Sequence, residues 1–536
     1  MITKITKFLV LIMLLSITIL PTSEVSAESP QVKVTGGMIQ GYIDEYGVKT
    51  FKGIPFADTT AGKNRWKAPQ PVKSWQGVKD CTKFGQIAVQ AEPQPFDPWT
   101  VEYVDSGMNL DNGLMGEDCL SLNIWTKANE NEKLPVIVYI HGGANLSGSS
   151  QNDVYSGQEI AQKNIVYVSI NYRVGIFGFL AYKDEIGEEV TGNFAIMDQI
   201  AALKWIKKNI SKFGGDPNNV TIIGQSAGSN NVQNLIASTA AAGLFDKAIA
   251  LSFNNYTASE MLLTRDLQDV ESEAKEKIGK YTIKELREMS PSDILALGYT
   301  PTSVVKGTST GTLSLKDAFD SGKWNKVDMI WGGVAGDQYL FDSVIEVGNF
   351  IKPADKLTLD DYMTSVNKSF GSNADRLLKL YPGESKDNAL NTARQVNIDK
   401  MIANYFYAAS QKYKSDKNYK TYLFCYEHII PDTPERMVKF GAFHTSDVNY
   451  WLNHFTKIYP RNFTSTDYAL GDAMSSYIVN FAKTGNPNGK DNIGRILPTW
   501  KEFSPNSNIA YLHIGDDIQY FEMDSAKSNF WKSILK

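Results

Sequence analysis

The feature that most constrains this chain is a short β-branched run that meets a pentapeptide of small residues. Residues 220–223 read VTII, and residues 224–228 read GQSAG. A strand that turns sharply into a helix strains the turn residue, and only small neighbours fit beside it. Gly224 and Gly228 therefore predict that Ser226 occupies such a turn, at the end of a strand and the start of a helix. A hydroxyl presented in this way is typical of a nucleophile.

The pentapeptide alone is a weak signal, because a glycine and serine turn without chemistry has the same composition. Its context strengthens it, since residues 220–223 supply the strand and residues 229–241 can supply the helix. A nucleophilic serine also needs a base, an acid that orients the base, and donors for a developing oxyanion.

A loop of small residues offers the oxyanion donors. His141 opens the sequence HGGAN, directly after the apolar run at residues 135–140. Small residues at a strand end let backbone N–H groups approach a substrate, and the N–H of Ala227 after the serine can join them. The alternative is a plain glycine turn.

The base must be one of the histidines, of which the chain has five. In hydrolases with this type of turn the order along the chain is nucleophile, acid, base, so His141 comes too early. His444 lies on a loop of small residues, GAFHTSD, beyond a predicted strand, and is the preferred base. We expect His428 to be structural, His454 to pack among apolar neighbours, and His513 to lie in a strand.

The acid should follow a strand between the serine and the base. Asp337 fits, because the run at residues 329–331 leads into a glycine-rich loop that carries this carboxylate. The alternative role for Asp337 is that of a helix N-cap. Asp320 and Asp342 are less well placed.

Strand-like runs alternate with helical stretches such as residues 193–209 along the chain, which predicts a mostly parallel sheet with helices on both faces. The runs lie at residues 134–140, 165–171, 220–223, 329–331 and 421–426. Residues 255–325 are more charged and helical, and we expect them to form an insertion or cap over one end of the sheet. No linker interrupts residues 28–536, which we treat as one domain.

Residues 1–27 predict a secretory signal peptide. Lys4 and Lys7 precede an apolar run at residues 8–20, and a small-x-small pattern ends at Ala27, where we expect cleavage. The alternative is an uncleaved anchor, but the run is short beside the about 20 residues of a membrane span. The protein is therefore predicted to be secreted or extracytoplasmic, with no stable membrane span after cleavage.

Charge and cysteine content exclude several classes of partner. The net charge of −5 argues against nucleic acid. Of the three cysteines, Cys81 and Cys119 form the plausible disulfide pair, which leaves Cys425 unpaired. No metal-ligand spacing occurs, so we expect neither a metal nor a cofactor.

Motifs along nearly all of residues 28–536 resemble those of the type-B carboxylesterase family, which includes bacterial p-nitrobenzyl esterases and cholinesterases. The matching segments are FKGIPFA at 51–57, NRWKAP at 64–69, EDCL at 117–120, NYRVGIFGFL at 171–180, residues 213–228 and FAKTGNPN at 481–488. The resemblance implies an α/β-hydrolase fold: a mostly parallel central sheet flanked by helices, with helical insertions that cap the site.

Carried over residue by residue, the resemblance implies that Ser226 is the nucleophile, Asp337 the acid and His444 the base. It implies that Gly143, Ala144 and Ala227 donate to the oxyanion.

The chain also departs from the family. Asp337 stands where glutamate is usual, Ala144 replaces the third glycine of the oxyanion loop, and Phe253 replaces a glycine after Ser252. The usual partner of Cys119 aligns with Ala88, which puts the disulfide in doubt.

The predicted function is hydrolysis of small-molecule carboxylic esters through an acyl-enzyme. One alternative is a non-catalytic binding or adhesion protein on the same fold, although all three triad residues are present. The other is a lipase or an acyltransferase of the same fold.

Overall fold

A computed structural model describes residues 29–91, 115–257, 264–338, 344–347, 350–353, 358–431, 442–455 and 461–535. The predicted signal peptide, residues 1–27, lies outside the described residues.

The strands are numbered in chain order. They are β1 Gln31–Val34, β2 Gly37–Gln40, β3 Tyr42–Ile43, β4 Lys49–Pro55, β5 Val78–Asp80, β6 Ser121–Thr126, β7 Leu134–Ile140, β8 Val166–Ile170, β9 Ala181–Lys183, β10 Glu189–Thr191, β11 Gly215–Gln225, β12 Lys247–Leu251, β13 Asp328–Val334, β14 Val344–Val347, β15 Phe350–Pro353, β16 Thr421–Tyr426, β17 Ala510–Ile514 and β18 Ile518–Glu522.

The α-helices are numbered in the same way. They are α1 Gln158–Ala161, α2 Gly175–Phe179, α3 Phe194–Asn209, α4 Ala227–Ile236, α5 Leu267–Ile278, α6 Ile283–Glu288, α7 Pro291–Ala296, α8 Leu315–Ser321, α9 Leu359–Phe370, α10 Ala374–Leu380, α11 Lys386–Ser415, α12 Val448–Trp451, α13 Ser465–Thr484 and α14 Ser525–Ile534. Short 3₁₀ turns include Asp153–Tyr155 and Ala335–Gln338.

An eleven-stranded sheet dominates the described part of the chain, in the order β18-β17-β16-β13-β12-β11-β7-β8-β6-β4-β3. The pairs from β8 through β7, β11, β12, β13 and β16 to β17 are parallel, and both edges are antiparallel. The mostly parallel sheet with flanking helices confirms the predicted α/β class. The loops that follow β7, β11, β13 and β16 all leave from the same edge of the sheet, because these strands are parallel.

The central strands are nearly continuous apolar runs because both of their faces are covered. Every residue of β8 and β16 is buried. The predicted strand limits hold for β7 and β16 and lie within a few residues elsewhere. Strand β11 begins at Gly215, before the predicted run at residues 220–223, and its register breaks between Gly215 and Val220.

Residues 264–325, within the predicted insertion at residues 255–325, contain the four helices α5 to α8 joined by loops. This insertion packs against the sheet domain through a second apolar cluster, in which Ile278 and Leu286 meet Trp66 and Phe177. It also contacts the loop after β7, where Asn145 Nδ2 donates to the carbonyl of Thr302 at 3.2 Å.

The disulfide between Cys81 and Cys119, which the sequence left in doubt, is not formed. Cys81, Cys119 and Cys425 are all buried free thiols. Burial raises the pKa of Cys81 to about 12 and that of Cys119 further still, so neither thiol ionises at neutral pH. Among the described residues, no helix combines the length and the apolar character that crossing a membrane requires.

Candidate active site

Ser226 lies at the sharp turn between β11 and α4, as the sequence predicts. Its backbone has φ 58° and ψ −125°, a conformation that is costly for a residue with a side chain. A Cβ on Gly224 would lie 2.3 Å from the carbonyl oxygen of Gly228, and one on Gly228 would lie 2.1 Å from that of Ile140. Both glycines are therefore required by the close approach of neighbouring backbone.

The strained turn is held by the sheet and by the helix it starts. The N–H of Ser226 donates to the carbonyl of Leu251 at 2.9 Å, and the N–H of Asn230 donates to the carbonyl of Ser226 at 3.0 Å. Ala227, the first residue of α4, is fully buried. Its backbone N–H belongs to the unsatisfied donors of a helix start, where negative charge is stabilised.

The loop after β7 packs directly on this turn. A Cβ on Gly142 would lie 2.8 Å from the carbonyl oxygen of Gln225 and 3.2 Å from Ser226 Cβ. Gly143 has φ 104° and Ala144 has φ 54°, so both residues have left-handed backbone conformations beside the serine. These are the residues for which the sequence predicts oxyanion donors.

His141 supports this loop and is not placed as a base. Its ring stacks on Tyr172 with 4.2 Å between centroids, and the Tyr172 hydroxyl donates to the His141 carbonyl at 2.7 Å. Nδ1 lies 2.8 Å from the carbonyl of Gly142 and donates to it. Complete burial lowers the pKa of His141 to about 4, so the ring is neutral.

Asp337 and His444 meet, although 107 positions separate them in the chain. Asp337 lies in the 3₁₀ turn after β13, and its Oδ1 is 2.6 Å from His444 Nδ1. Its other oxygen accepts the N–H of Val334 at 3.0 Å. The two side chains are 10% and 16% exposed, so water screens the pair only weakly.

A backbone contact brings the two loops together. The N–H of Gly336 donates to the carbonyl of Ala442 at 2.9 Å, and a Cβ on Gly336 would lie 2.2 Å from that oxygen. Glycine at position 336 is therefore what allows the loop of the acid to touch the loop of the histidine.

Gln225, which sequence reasoning did not single out, links the histidine to the serine turn. Its Nε2 lies 3.3 Å from His444 Nε2. Since an amide N–H₂ group can only donate, this contact matches an imidazole that carries its proton on Nδ1, toward Asp337, and a lone pair on Nε2. The tautomer is the one that a base needs.

Asp447 is an acidic residue near His444 that sequence reasoning did not single out. It is fully buried and follows His444 closely in the chain. Burial raises the pKa of Asp447 to about 7, and the charge of Asp337 adds to the effect. The Trp451 indole donates to Asp447 at 2.9 Å. The signal in the sequence was the position of Asp447 immediately before α12.

The remaining histidines bind other acids. His428 lies 2.7 Å from Asp516 and 3.0 Å from Asp467. His454, expected to pack among apolar residues, instead lies between Glu159 at 2.9 Å and Asp153 at 3.3 Å.

His513 lies in β17, as expected, and faces Glu427 at 3.6 Å. The described residues contain no group of three or more side chains suited to a metal ion.

Known proteins resemble this chain in sequence and in fold. The model of the carboxylesterase family matches residues 28–531. The chain belongs to the carboxylesterase family. With relatives that are named esterases, carboxylesterases and hydrolases, the protein is a carboxylic ester hydrolase.

Individual relatives of this carboxylesterase carry esterase names. The para-nitrobenzyl esterase of Bacillus subtilis (strain 168) is 42% identical over 214 residues, which cover 40% of this chain and 41% of that protein. The human cocaine esterase is 28% identical over 535 residues, 94% of this chain and 90% of that enzyme.

A solved structure of PNB esterase matches with a TM-score of 0.71 at 24% identity, over 94% of this chain and 99% of that one. It identifies the fold of this carboxylesterase as the predicted α/β-hydrolase fold.

Proposed function

We propose that this carboxylesterase is a secreted serine esterase that uses Ser226, His444 and Asp337 as a catalytic triad. The observation that carries the proposal is the 2.6 Å contact between Asp337 and His444 beside the strained turn of Ser226. A histidine that a carboxylate orients, beside a serine, is the arrangement that activates a hydroxyl.

In the first half of the reaction, Ser226 Oγ attacks the ester carbonyl carbon while its proton passes to His444 Nε2. The resulting imidazolium is stabilised by Asp337 on Nδ1. Collapse of the tetrahedral intermediate breaks the bond to the alcohol oxygen, which takes the proton from His444 and leaves. An ester of Ser226 with the acyl group remains.

In the second half, His444 takes a proton from water as the water oxygen attacks the acyl carbon. The bond to Ser226 Oγ then breaks, Oγ regains its proton from His444, and the carboxylic acid is released. Each half passes through an oxyanion, for which we assign the N–H groups of Gly143, Ala144 and Ala227 as donors. Loss of one such donor typically lowers turnover about 100- to 1000-fold.

We expect a small-molecule ester as substrate. The methyl group of Ala144 lies where glycine would leave space, so bulky tertiary esters should react poorly. Phe253 follows β12, and its carbonyl accepts the indole N–H of Trp331 and the amide of Gln233, both at 3.0 Å. These bonds fix its backbone, which makes Phe253 a candidate wall for the acyl group.

The central test compares the wild type with Ser226→Ala on p-nitrophenyl acetate. We expect the substitution to abolish hydrolysis and to prevent labelling by a fluorophosphonate, which reacts only with an activated serine. Equal rates for the two proteins would overturn the assignment, and an unlabelled wild type would favour a binding protein.

A series of p-nitrophenyl esters of increasing acyl length separates an esterase from a lipase. We expect the highest kcat/KM for short chains and no activation by an emulsified substrate. Added alcohols test for acyl transfer, because a second acceptor for the acyl-enzyme would yield a new ester.

Secretion has its own test. Expression of the full chain should release a mature protein whose N-terminal residue is Glu28. An N-terminus at Met1 on exported protein would contradict cleavage after Ala27.

A further inference from the structure

Asn145 adopts an unusual backbone conformation next to a proposed oxyanion donor. Ala144 has φ 54° and Asn145 has φ 60°, so two successive residues with side chains lie in the left-handed region. L-residues avoid this region, and asparagine tolerates it better than most. A loop of this kind keeps its shape only where its surroundings hold it.

Three separate elements hold Asn145. Its Oδ1 accepts the Nδ2 of Asn231 at 3.0 Å, and its own Nδ2 donates to the carbonyl of Thr302 at 3.2 Å. Its backbone carbonyl accepts the N–H of Gly175 at 2.6 Å. Helix α4, the helical insertion and the start of α2 thus converge on one fully buried residue.

The chemistry of these partners fixes which way both amides point. The Thr302 carbonyl can only accept, so Asn145 must turn its N–H₂ group toward it. The amide oxygen of Asn145 then faces Asn231, which must present its own N–H₂ group. Neither amide can rotate without bringing two oxygens or two donors together.

Asn231 belongs to the helix that starts at the serine. It lies one turn beyond Ala227 on α4 and is fully buried. The same rigid helix therefore carries the N–H of Ala227 at its first turn and, through Asn231, a bond to the loop that carries Gly143 and Ala144. A helix turn is a fixed length, so this bond sets the distance between the two parts of the oxyanion site.

We propose that Asn145 and Asn231 are positioning residues that hold the backbone donors of the loop in register with the donor of the helix. The inference rests on the proposed function of Ser226. Neither side chain is assigned a contact with substrate, and both act through the backbone of residues 143 and 144.

A matched control lies on the same helix. Asn234 is a buried asparagine of α4 that forms hydrogen bonds with Asn230, Asn255 and Thr264, three residues outside the loop after β7. Replacement of Asn234 removes three buried hydrogen bonds from α4, a larger loss than that of the Asn145–Asn231 bond, which it leaves in place.

The experiment measures kcat, KM and thermal stability for Asn231→Leu, Asn145→Gly and Asn234→Leu on p-nitrophenyl acetate. Leucine has the same branching and number of side-chain heavy atoms as asparagine, and glycine keeps the left-handed backbone at position 145. We expect Asn231→Leu and Asn145→Gly each to lower kcat about ten- to hundredfold with little change in KM, because misplaced donors weaken the transition state. The double variant should lose no more than the worse single variant.

A trifluoromethyl ketone supplies a readout that a purely structural role would not move. Its adduct with Ser226 places an oxyanion in the site, so its affinity should fall by the same factor as kcat/KM in both variants and stay near the wild-type value in Asn234→Leu.

A folded Asn231→Leu protein with the kcat of Asn234→Leu would overturn the inference. If Asn231→Leu does not fold, Asn145→Gly decides in the same way. If wild type and Ser226→Ala hydrolyse the ester equally, the proposed function fails and the inference with it. An active wild type, an inactive Ser226→Ala and an unchanged Asn145→Gly overturn the inference alone.

Discussion

Two histidines on neighbouring segments, His444 and His454, differ in what faces their second ring nitrogen. Each has a carboxylate on Nδ1, Asp337 at 2.6 Å for His444 and Glu159 at 2.9 Å for His454. On Nε2, His444 faces the neutral amide of Gln225, whereas His454 faces a second carboxylate, Asp153.

The second carboxylate decides the charge of the ring. Burial alone would lower the pKa of His454, but the hydrogen bonds of Asp153 and Glu159 outweigh it and raise the pKa to about 9. His454 is therefore a cation at neutral pH, with no lone pair to accept a proton. A base needs one carboxylate for orientation and a second nitrogen that no anion occupies.

The largest expected effect is a difference in activity between variants that lack His444 and variants that lack His454. His444→Ala should lower kcat about a millionfold, because removal of the base leaves Ser226 without an acceptor for its proton. His454→Gln, assayed beside it on p-nitrophenyl acetate, should keep most of the wild-type kcat. The reverse pattern would exchange the roles of the two residues.

Removal of the carboxylate on Nδ1 should also lower kcat at His444 but not at His454. Asp337→Asn should lower kcat about 10,000-fold, since an amide in place of the carboxylate favours the wrong tautomer of His444. Glu159→Gln is the matched control at His454 and should leave kcat near the wild-type value. A similar loss in both variants would mean that the assay reports general damage to the fold.

Gln225→Glu gives His444 the two carboxylates that His454 has. A carboxylate on Nε2 stabilises the imidazolium, so the acidic limb of the kcat/KM profile should move up by about one to three pH units. Asp337 and the buried Asp447 also face the His444 ring. Both acids are present in the wild type and in the variant, so they do not cause the difference between the two profiles. Gln225→Leu adds no charge, so the acidic limb of its kcat/KM profile should stay at the wild-type pH. An acidic limb that does not move in Gln225→Glu would refute the role given to the Gln225 amide.

The smallest effect concerns stability. Folding raises the pKa of His454 from an unfolded value of about 6.5 to about 9. Its contribution to the free energy of unfolding is therefore complete below a pH of about 6.5 and is lost as the pH rises through about 9. The loss should be about 2 kcal/mol, allowing for the solvent that reaches both acids. Denaturant unfolding of wild type and His454→Gln across this range checks it, and parallel pH curves would contradict it.

The sequence predicted those parts of the site whose requirements are local. Gly224 and Gly228 predict a sharp turn, because only glycine fits on either side of it. Asp337 was predicted because it lies in a glycine-rich loop directly after a strand. The helix at residues 193–209 and strands β7 and β16 were likewise visible as continuous apolar patterns.

The parts that the sequence did not predict depend on which distant segments touch. The carboxylate partners of His454 lie about 300 positions away, and Gln225 lies 219 positions from His444. No local pattern marks such pairs. The pairing of Cys81 with Cys119, which the resemblance had put in doubt, could not be decided from sequence for the same reason, because spacing along the chain does not show whether two thiols lie within bonding distance.

The order of strands bears on when the protein becomes reactive during its synthesis. From β11 outward the sheet adds β12, β13, β16 and β17 in the order in which the ribosome produces them. Ser226 follows β11, Asp337 follows β13, and His444 follows β16. The nucleophile is therefore synthesised first and the base last, and the three residues can meet only when β11, β13 and β16 have all joined the sheet. A chain that ends before His444 would carry Ser226 and Asp337 but no base to take the proton of the serine.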